Sequence, residues 1–135
     1  MGIKNRSLSI ATMALLVAAQ SVAFAQDSTG RTELRRADLS GAPNMEVILS
    51  ITELKPGDVI SEHFHHGIEA GYILEGGTVE QVGKPPITFT SGSPIMNLRD
   101  VLHGGYKVIG DKTLKLVTVH IVDKGKPLYD SAKKQ

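Results

Sequence analysis

The amino-acid sequence predicts an all-β protein, a sandwich or a barrel of short strands. Between residues 45 and 122, apolar and polar side chains alternate in short segments, which are separated by turns that contain glycine or proline. No window of this region repeats its apolar residues at a helical period. Roughly eight to ten strands at such close spacing are typical of a sandwich or a barrel.

The predicted strands follow one another without a linker or an internal repeat. The first is "MEVILSIT", in which Met45, Val47, Leu49 and Ile51 share one face because side chains two apart on a strand point the same way. A Pro-Gly turn at residues 55–58 ends it. The remaining predicted strands cover residues 59–66, 72–74, 78–82, 87–90, 95–98, 106–109 and 114–122.

The two ends of the chain are predicted to lie outside the barrel. Residues 1–25 begin with Lys4 and Arg6, continue through an apolar run and end on Ala-Phe-Ala. This order predicts a signal peptide cleaved near Ala25, and so an exported protein, periplasmic or secreted. Residues 26–44 are predicted to form an N-terminal polar segment, with room for a short helix or strand around residues 34–39. The barrel is expected at residues 45–128, and residues 129–135 are expected to form a flexible tail.

Charge and cysteine content argue against several classes of protein. The chain has 15 basic and 14 acidic residues, and loss of the two basic residues in the predicted signal peptide leaves 13 against 14, a net charge of −1. Binding to nucleic acid, and stable membrane association after cleavage, are therefore not expected, because both favour a basic excess. The sequence has no cysteine, which excludes disulfides and a lipid-modified cysteine.

The segment "HFHHGIE", residues 63–69, combines three of the five histidines with a carboxylate. On a strand, His63 and His65 point to one side and His66 points to the other. Gly67 is expected to let the chain turn, so that Glu69 on the next strand returns beside the two imidazoles. Two imidazoles and one carboxylate suit a divalent first-row metal and leave positions open for substrate or water.

A fourth ligand to such an ion would come from a distant strand. The remaining candidates are His103 and His120. The mixed nitrogen and oxygen set accepts Fe, Mn, Ni, Cu, Co or Zn, so the identity of the divalent transition metal stays open.

The spacing around these residues resembles the first sequence motif of the cupin family. Gly57 is followed after five residues by His63, after one more by His65, after three by Glu69 and after six by Gly76. Five fixed residues at these intervals form a specific pattern.

A looser match to the second cupin motif follows. Gly92 and His103 are separated by ten residues, as in the family, but Leu98 and Asp100 stand where proline and glycine are usual. Lys107 replaces the usual asparagine four residues after the histidine. These departures predict a reshaped turn before His103 and leave the surroundings of the metal open.

Over residues 32–128 the chain resembles the small single-domain cupins of the quercetin-dioxygenase-like group. The resemblance implies a jelly-roll β-barrel with a metal at its centre, usually assembled as a homodimer through outer strands. It also implies that the metal ligands are His63, His65, Glu69 and His103.

Three further residues are candidates for a catalytic role. His66 is expected to be an exposed neighbour of the site, or a proton carrier at the mouth of the barrel. His120 lies in an apolar run and is either a wall of the pocket or a catalytic group. Tyr72 either packs or orients a bound ligand through its hydroxyl.

The sequence leaves two classes of function open. One is a metal-dependent enzyme acting on a small-molecule substrate, either a dioxygenase-like cupin or an isomerase or lyase. The other is a non-catalytic cupin that binds or senses a metal or metabolite. A carbohydrate platform is disfavoured because the chain has three Phe, three Tyr and no Trp.

Overall fold

A computed structural model describes residues 29–131 of the protein, and the predicted signal peptide lies outside them. This part of the chain forms nine β-strands and contains no helix long and apolar enough to cross a membrane. In chain order the strands are Arg31–Asp38 (β1), Met45–Leu54 (β2), Val59–Ile60 (β3), Gly67–Glu75 (β4), Gly77–Glu80 (β5), Ile87–Phe89 (β6), Pro94–Asn97 (β7), Tyr106–Ile109 (β8) and Leu114–Asp123 (β9).

The strands form two antiparallel sheets, which confirms the predicted all-β jelly-roll barrel. The larger sheet has the order β1-β2-β9-β4-β7, and the smaller has the order β3-β8-β5-β6. The two longest strands, β2 and β9, pair over their full length from Met45 opposite Asp123 to Leu54 opposite Leu114. They form the centre of the larger sheet, and β4 pairs with the other side of β9.

Two predicted elements differ from the observed ones. The predicted strand at residues 59–66 is regular only at Val59–Ile60, and the histidine segment continues through single bridges at His63 and Phe64. The segment 26–44 contains the full strand β1, which pairs with β2 at the edge of the larger sheet. Because seven of its eight residues are exposed, β1 shows no apolar alternation that the sequence could reveal.

The interior of the barrel is polar near one end and apolar near the other. On β2, the most buried side chains are those of Ile48, Ser50, Thr52 and Leu54, and not those of the apolar set that begins with Met45. The apolar core lies at the Leu54 end and consists of Leu54, Ile73, Val79, Val108 and Leu114. The polar interior at the opposite end of β2, β4 and β9 is where a site can form.

The C-terminal segment packs against the histidine segment. Asp130 forms an antiparallel bridge with Phe64, in which each backbone amide donates to the other's carbonyl, at 2.8 and 3.0 Å. The expected tail starts at residue 129, but Tyr129 and Asp130 are held by these and by side-chain contacts. Residues 132–135 lie outside the described chain.

Gly67 is required by close packing and not by a turn. It begins β4, it is buried, and its φ does not fall in the left-handed region. A Cβ at this position would lie 2.1 Å from the carbonyl oxygen of Ile121 and 2.6 Å from the Cα of Val122. Only glycine lets β4 come this close to β9 directly after the histidines.

We expect Gly67→Ala to lower the free energy of unfolding by about 3 kcal/mol, the upper part of the range for an overpacked interior, because the clashing atoms belong to the backbone. Gly71→Ala on the same strand is the matched control. Its Cβ would meet the side chain of Ile95 at 2.7 Å and the backbone oxygen of Val117 at 3.0 Å. Since the closer contact is with a side chain and the backbone contact is longer than at Gly67, a smaller loss of about 1 kcal/mol is expected. Urea denaturation of both variants measures the difference, and equal losses would contradict this account of β4.

Candidate metal centre

The two predicted motifs meet at an antiparallel bridge between His63 and His103. The amide of His63 donates to the carbonyl of His103 at 2.9 Å, and the amide of His103 donates back at 2.8 Å. Gly104 permits the approach: its φ is 85°, and a Cβ there would lie 2.6 Å from the carbonyl oxygen of Ser61. Glu69 reaches the same place from β4, the strand that directly follows the histidine segment.

Three imidazoles of the centre are anchored to the backbone in the same way. Nδ1 of His63, His65 and His103 donates to the carbonyl oxygens of Ser61, Leu128 and Val101, respectively. Because a carbonyl oxygen can only accept, each Nδ1 carries a hydrogen, and in the neutral ring each Nε2 presents a lone pair. This orientation is the one that metal-binding histidines adopt in proteins.

The donor atoms are spaced for one cation. Nε2 of His65 lies 3.2 Å from Oε2 of Glu69 and 3.2 Å from Nε2 of His103, and the last two atoms are 3.5 Å apart. Two atoms bound to one ion at about 2.1 Å are about 3.0 Å apart at a right angle and about 3.4 Å apart at a tetrahedral angle. One donor atom each from His63, His65 and His103 also lies within 4.8 Å of the others.

The Glu69 carboxylate is buried and ionised. Burial raises its pKa, but the neighbouring imidazoles of His103, His120 and His65 lower it by more, so the pKa lies well below its ordinary value. Nδ2 of Asn97 donates to Oε2 at 2.6 Å from the adjacent strand β7.

Sequence analysis did not identify Asn97, because only the pairing of β4 with β7 places its amide beside Glu69. Lys107, at the position where the cupin motif has asparagine, is exposed on β8. The amide that reaches the carboxylate therefore comes from a different strand.

His63 and His103 differ in their affinity for a proton. Burial lowers the pKa of His63 to about 4, so this imidazole is neutral at ordinary pH. Burial also lowers the pKa of His103, but the Glu69 carboxylate raises it by more, and the net pKa is above the ordinary 6.5. Of these two rings, His103 is therefore the one that takes up a proton at the higher pH.

His120 is a fifth member of the cluster. It pairs with Glu69 across β4 and β9, and its Nε2 lies 3.4 Å from Oε1 of Glu69. Its side chain is 0% exposed, and neither ring nitrogen has a hydrogen-bond partner among the described residues. Burial lowers the pKa of His120, so the ring is neutral. The structure thus brings both candidates for the fourth ligand, His103 and His120, to the same carboxylate.

His66 points away from the cluster, as strand parity predicts. Its Nε2 lies 3.0 Å from Oδ2 of Asp130, and its Nδ1 lies 3.4 Å from Oδ1 of Asp100. Asp100, which replaces the glycine of the cupin motif, has a φ of 59°, a conformation that aspartate tolerates better than most residues. The turn before His103 therefore keeps a glycine-like conformation and gains a carboxylate. Tyr72, on β4, is 49% exposed and also lies outside the cluster.

Tyr129 is a site residue that sequence analysis missed. Its ring centroid lies 4.7 Å from that of His63 and 5.2 Å from that of His65, both in an edge-on arrangement. Sequence analysis missed it because no motif connects residue 129 with the histidine segment. Contacts of that segment with Leu128 and Asp130, the residues on either side, bring Tyr129 to the cluster.

A cavity of about 230 Å³ opens onto the donor atoms. On the side of the cluster its wall includes His63, Glu69, His103, Asn97 and Tyr129. At the other end it is lined by apolar side chains, among them Leu54, Ile60, Ile73, Phe89, Leu114 and Leu116. None of the three candidates for a catalytic role, His66, Tyr72 and His120, belongs to this wall.

The residues of the cluster fit a divalent transition metal. Three imidazoles with Nε2 turned inward and one ionised carboxylate are the donors that such ions take. His120, a buried imidazole for which the described part of the chain supplies no hydrogen-bond partner, adds a further nitrogen at the same place. His63, His65, Glu69 and His103 would hold the ion, with His120 in contact with the carboxylate.

Comparison with known proteins identifies the fold. No protein-family model and no curated protein matches the sequence. A conserved protein with a double-stranded β-helix domain from Klebsiella pneumoniae gives a TM-score of 0.54 at 16% identity, covering 81% of this chain and 92% of that one. The polyketide cyclase RemF from Streptomyces resistomycificus gives a TM-score of 0.51 at 21% identity, covering 79% and 78%. The chain therefore has the double-stranded β-helix fold of the cupins, as its two motifs predict.

Proposed function

We propose that the protein binds one divalent transition-metal ion through His63, His65, Glu69 and His103 and acts as a metal-dependent enzyme on a small molecule held in the adjoining cavity. The observation that carries this proposal is the set of three clustered imidazoles, each anchored through Nδ1 to a backbone carbonyl, of which His65 and His103 place Nε2 within 3.5 Å of one ionised carboxylate.

The cavity favours catalysis over a purely structural role for the ion. A structural metal site is closed by protein ligands, whereas a catalytic one keeps a position open to substrate. Here the wall of the cavity includes three of the four proposed ligands, so a bound molecule would reach the ion directly. When bound, the ion would supply a Lewis acid for an oxygen of the substrate. RemF, a polyketide cyclase of the same fold, supports the use of this fold by an enzyme.

The residues of this chain have separate roles in the proposed site. His63 and His65 are held by backbone carbonyls, so they stay in place whether or not a molecule is bound. Asn97 fixes one oxygen of Glu69, and His120 contacts the other. Tyr129 covers His63 and His65 on the cavity side and is placed to touch a bound molecule.

The proposed ligand set predicts opposite results for two adjacent histidines. His65→Ala should abolish stoichiometric metal, because the ring donates the nitrogen nearest to both Glu69 and His103. His66→Ala should keep one ion per chain, because its ring faces Asp100 and Asp130. Elemental analysis after loading and gel filtration measures both. Equal loss of metal in the two variants would refute the proposed ligand set.

Catalysis needs its own measurement. The loaded wild-type protein is screened for O₂ uptake and, by proton NMR, for isomerisation or elimination of small oxygenated compounds, with His65→Ala as the inactive control. Metal-dependent turnover supports the enzyme. Full metal occupancy without turnover on a broad panel would favour the alternative, a cupin that binds or senses a metal or metabolite.

A second prediction concerns His120. Removal of its ring leaves the four proposed ligands but frees Oε1 of Glu69. His120→Ala should still bind one ion, with an affinity lower by about 10-fold to 100-fold, as for other groups that support a metal ligand. Competition with a chromogenic chelator gives the affinity. Unchanged affinity would show that His120 has no part in the centre.

A third prediction concerns pH. The ion binds neutral imidazole, and His103 has a pKa above the ordinary 6.5 because Glu69 faces it, against the opposing effect of burial. Lowering the pH through this pKa protonates His103 and weakens binding. His63, with a pKa of about 4, contributes nothing in this range. Affinity at pH 5.5 should therefore be at least about tenfold lower than at pH 7.5. Equal affinities would indicate that His103 is not a ligand.

A further inference from the structure

We infer that the molecule taken up by this cavity has one oxygen-donor head group and an uncharged apolar tail, such as a short alkyl chain or a single aromatic ring. The inference rests on the proposed function for the head group, which would bind at the metal. The nature of the tail is inferred from the wall of the cavity alone.

The register of the strands produces a gradient from polar to apolar along the cavity. At the level of the metal centre, Glu69 pairs with His120 on one side and with Asn97 on the other. Two residues further along β4, Gly71 pairs with Ile95 on one side and on the other with Thr118, which is buried but not part of the cavity wall. Two residues beyond that, Ile73 pairs with Leu116. A molecule with its head at Glu69 therefore extends its other end among apolar side chains.

Among the described residues, the end of the cavity away from the cluster has no side chain that would neutralise a charge on the tail of a bound molecule. No lysine or arginine of the described chain lines the cavity. Arg31 is a buried cation near the site, but it contacts the Glu33 carboxylate at 3.4 Å and is not part of the cavity wall. Burying a second carboxylate or a phosphate at the Ile73 end without a partner would be strongly unfavourable. Dicarboxylates and sugar phosphates are therefore disfavoured.

Polyhydroxylated molecules are disfavoured for a related reason. Away from the metal side, Thr52 and Tyr106 are the polar side chains of the wall, among Leu54, Ile73 and other apolar residues. A sugar would lose several hydrogen bonds to water and regain few of them. The cavity has a volume of about 230 Å³, which is smaller than the pockets of about 300–1,000 Å³ that hold drug-sized ligands. The part of the molecule held in the cavity is therefore smaller than such a ligand.

A matched pair of ligands tests the inference on the wild-type protein. Hexanohydroxamic acid has a chelating head and an alkyl tail, and the mono-hydroxamic acid of adipic acid has the same head and a terminal carboxylate. Calorimetry with both compounds is done on the metal-free protein and on the zinc-loaded protein. In each form the alkyl compound should bind at least about tenfold tighter, because its tail carries no charge to bury. Equal affinity, or a preference for the carboxylate, overturns the inference.

A substitution in the cavity wall provides an independent test of the inference. Ile95 lies on the edge strand β7 and lines the cavity, so Ile95→Lys places a cation beside the tail. This variant should reverse the preference toward the carboxylate compound. Val82→Lys adds the same charge at a fully exposed position outside the cavity wall and should keep the wild-type preference. Should Ile95→Lys fail to fold, the ligand pair on the wild-type protein still decides.

Calorimetry on the metal-free and on the zinc-loaded protein distinguishes failure of this inference from failure of the proposed function. If zinc does not bind, or does not tighten the hydroxamates, the metal proposal fails, while the preference between the two tails in the metal-free protein still tests the cavity. If zinc tightens both compounds and the alkyl preference is absent, the metal centre stands and the inference about the tail is overturned.

Discussion

The hydrogen bonds from three imidazoles to backbone carbonyls are the constraint on which the rest of the site depends. They keep hydrogens on Nδ1 and turn the Nε2 lone pairs of His65 and His103 toward each other at 3.2 Å, beside an ionised carboxylate. Lone pairs at this distance repel unless a positive charge lies between or beside them. A proton on Nε2 of His103 replaces this repulsion by a hydrogen bond, and a divalent ion bound by both nitrogens would also remove it. The cluster is thus arranged for a cation at some cost to the empty protein.

The electrostatically unfavourable cluster and the apolar core that stabilises the fold lie in different parts of the barrel. Strands β2, β4 and β9 form the apolar core at Leu54, Ile73 and Leu114 and, toward their other end, the cluster at Glu69 and His120. Ile48 and Val122 are buried apolar side chains at the end of the cluster. Burial of the apolar end stabilises the fold at roughly 25 cal/mol per Å² of apolar surface. The end that holds the cluster can then contain buried imidazoles and a buried carboxylate, which a purely apolar core would exclude. The cavity lies between the cluster and the apolar core.

The sequence could predict the local part of the site but not the part made by strand pairing. Alternation along a strand predicts that His63 and His65 point together and that His66 points away, and the structure agrees. Alternation cannot tell which face of β2 is inside, because the interior face carries Ser50 and Thr52 while the apolar residues of the other face are only half-buried. Asn97 and Tyr129 could not be predicted, because each reaches the centre through a pairing between distant parts of the chain.

The C-terminal segment explains why the histidine segment contains a third histidine. His65 faces inward and bonds to the carbonyl of Leu128, whereas Phe64 and His66 face Asp130, one through the backbone and one through the side chain. Tyr129 lies between Leu128 and Asp130 in the chain, so these contacts hold its ring against His63 and His65. The alternation that sends His63 and His65 to the cluster thus leaves the backbone of Phe64 and the side chain of His66 to contact the segment that covers it. His66 therefore contacts the segment that covers the cluster, through Oδ2 of Asp130 at 3.0 Å, and does not face the other imidazoles.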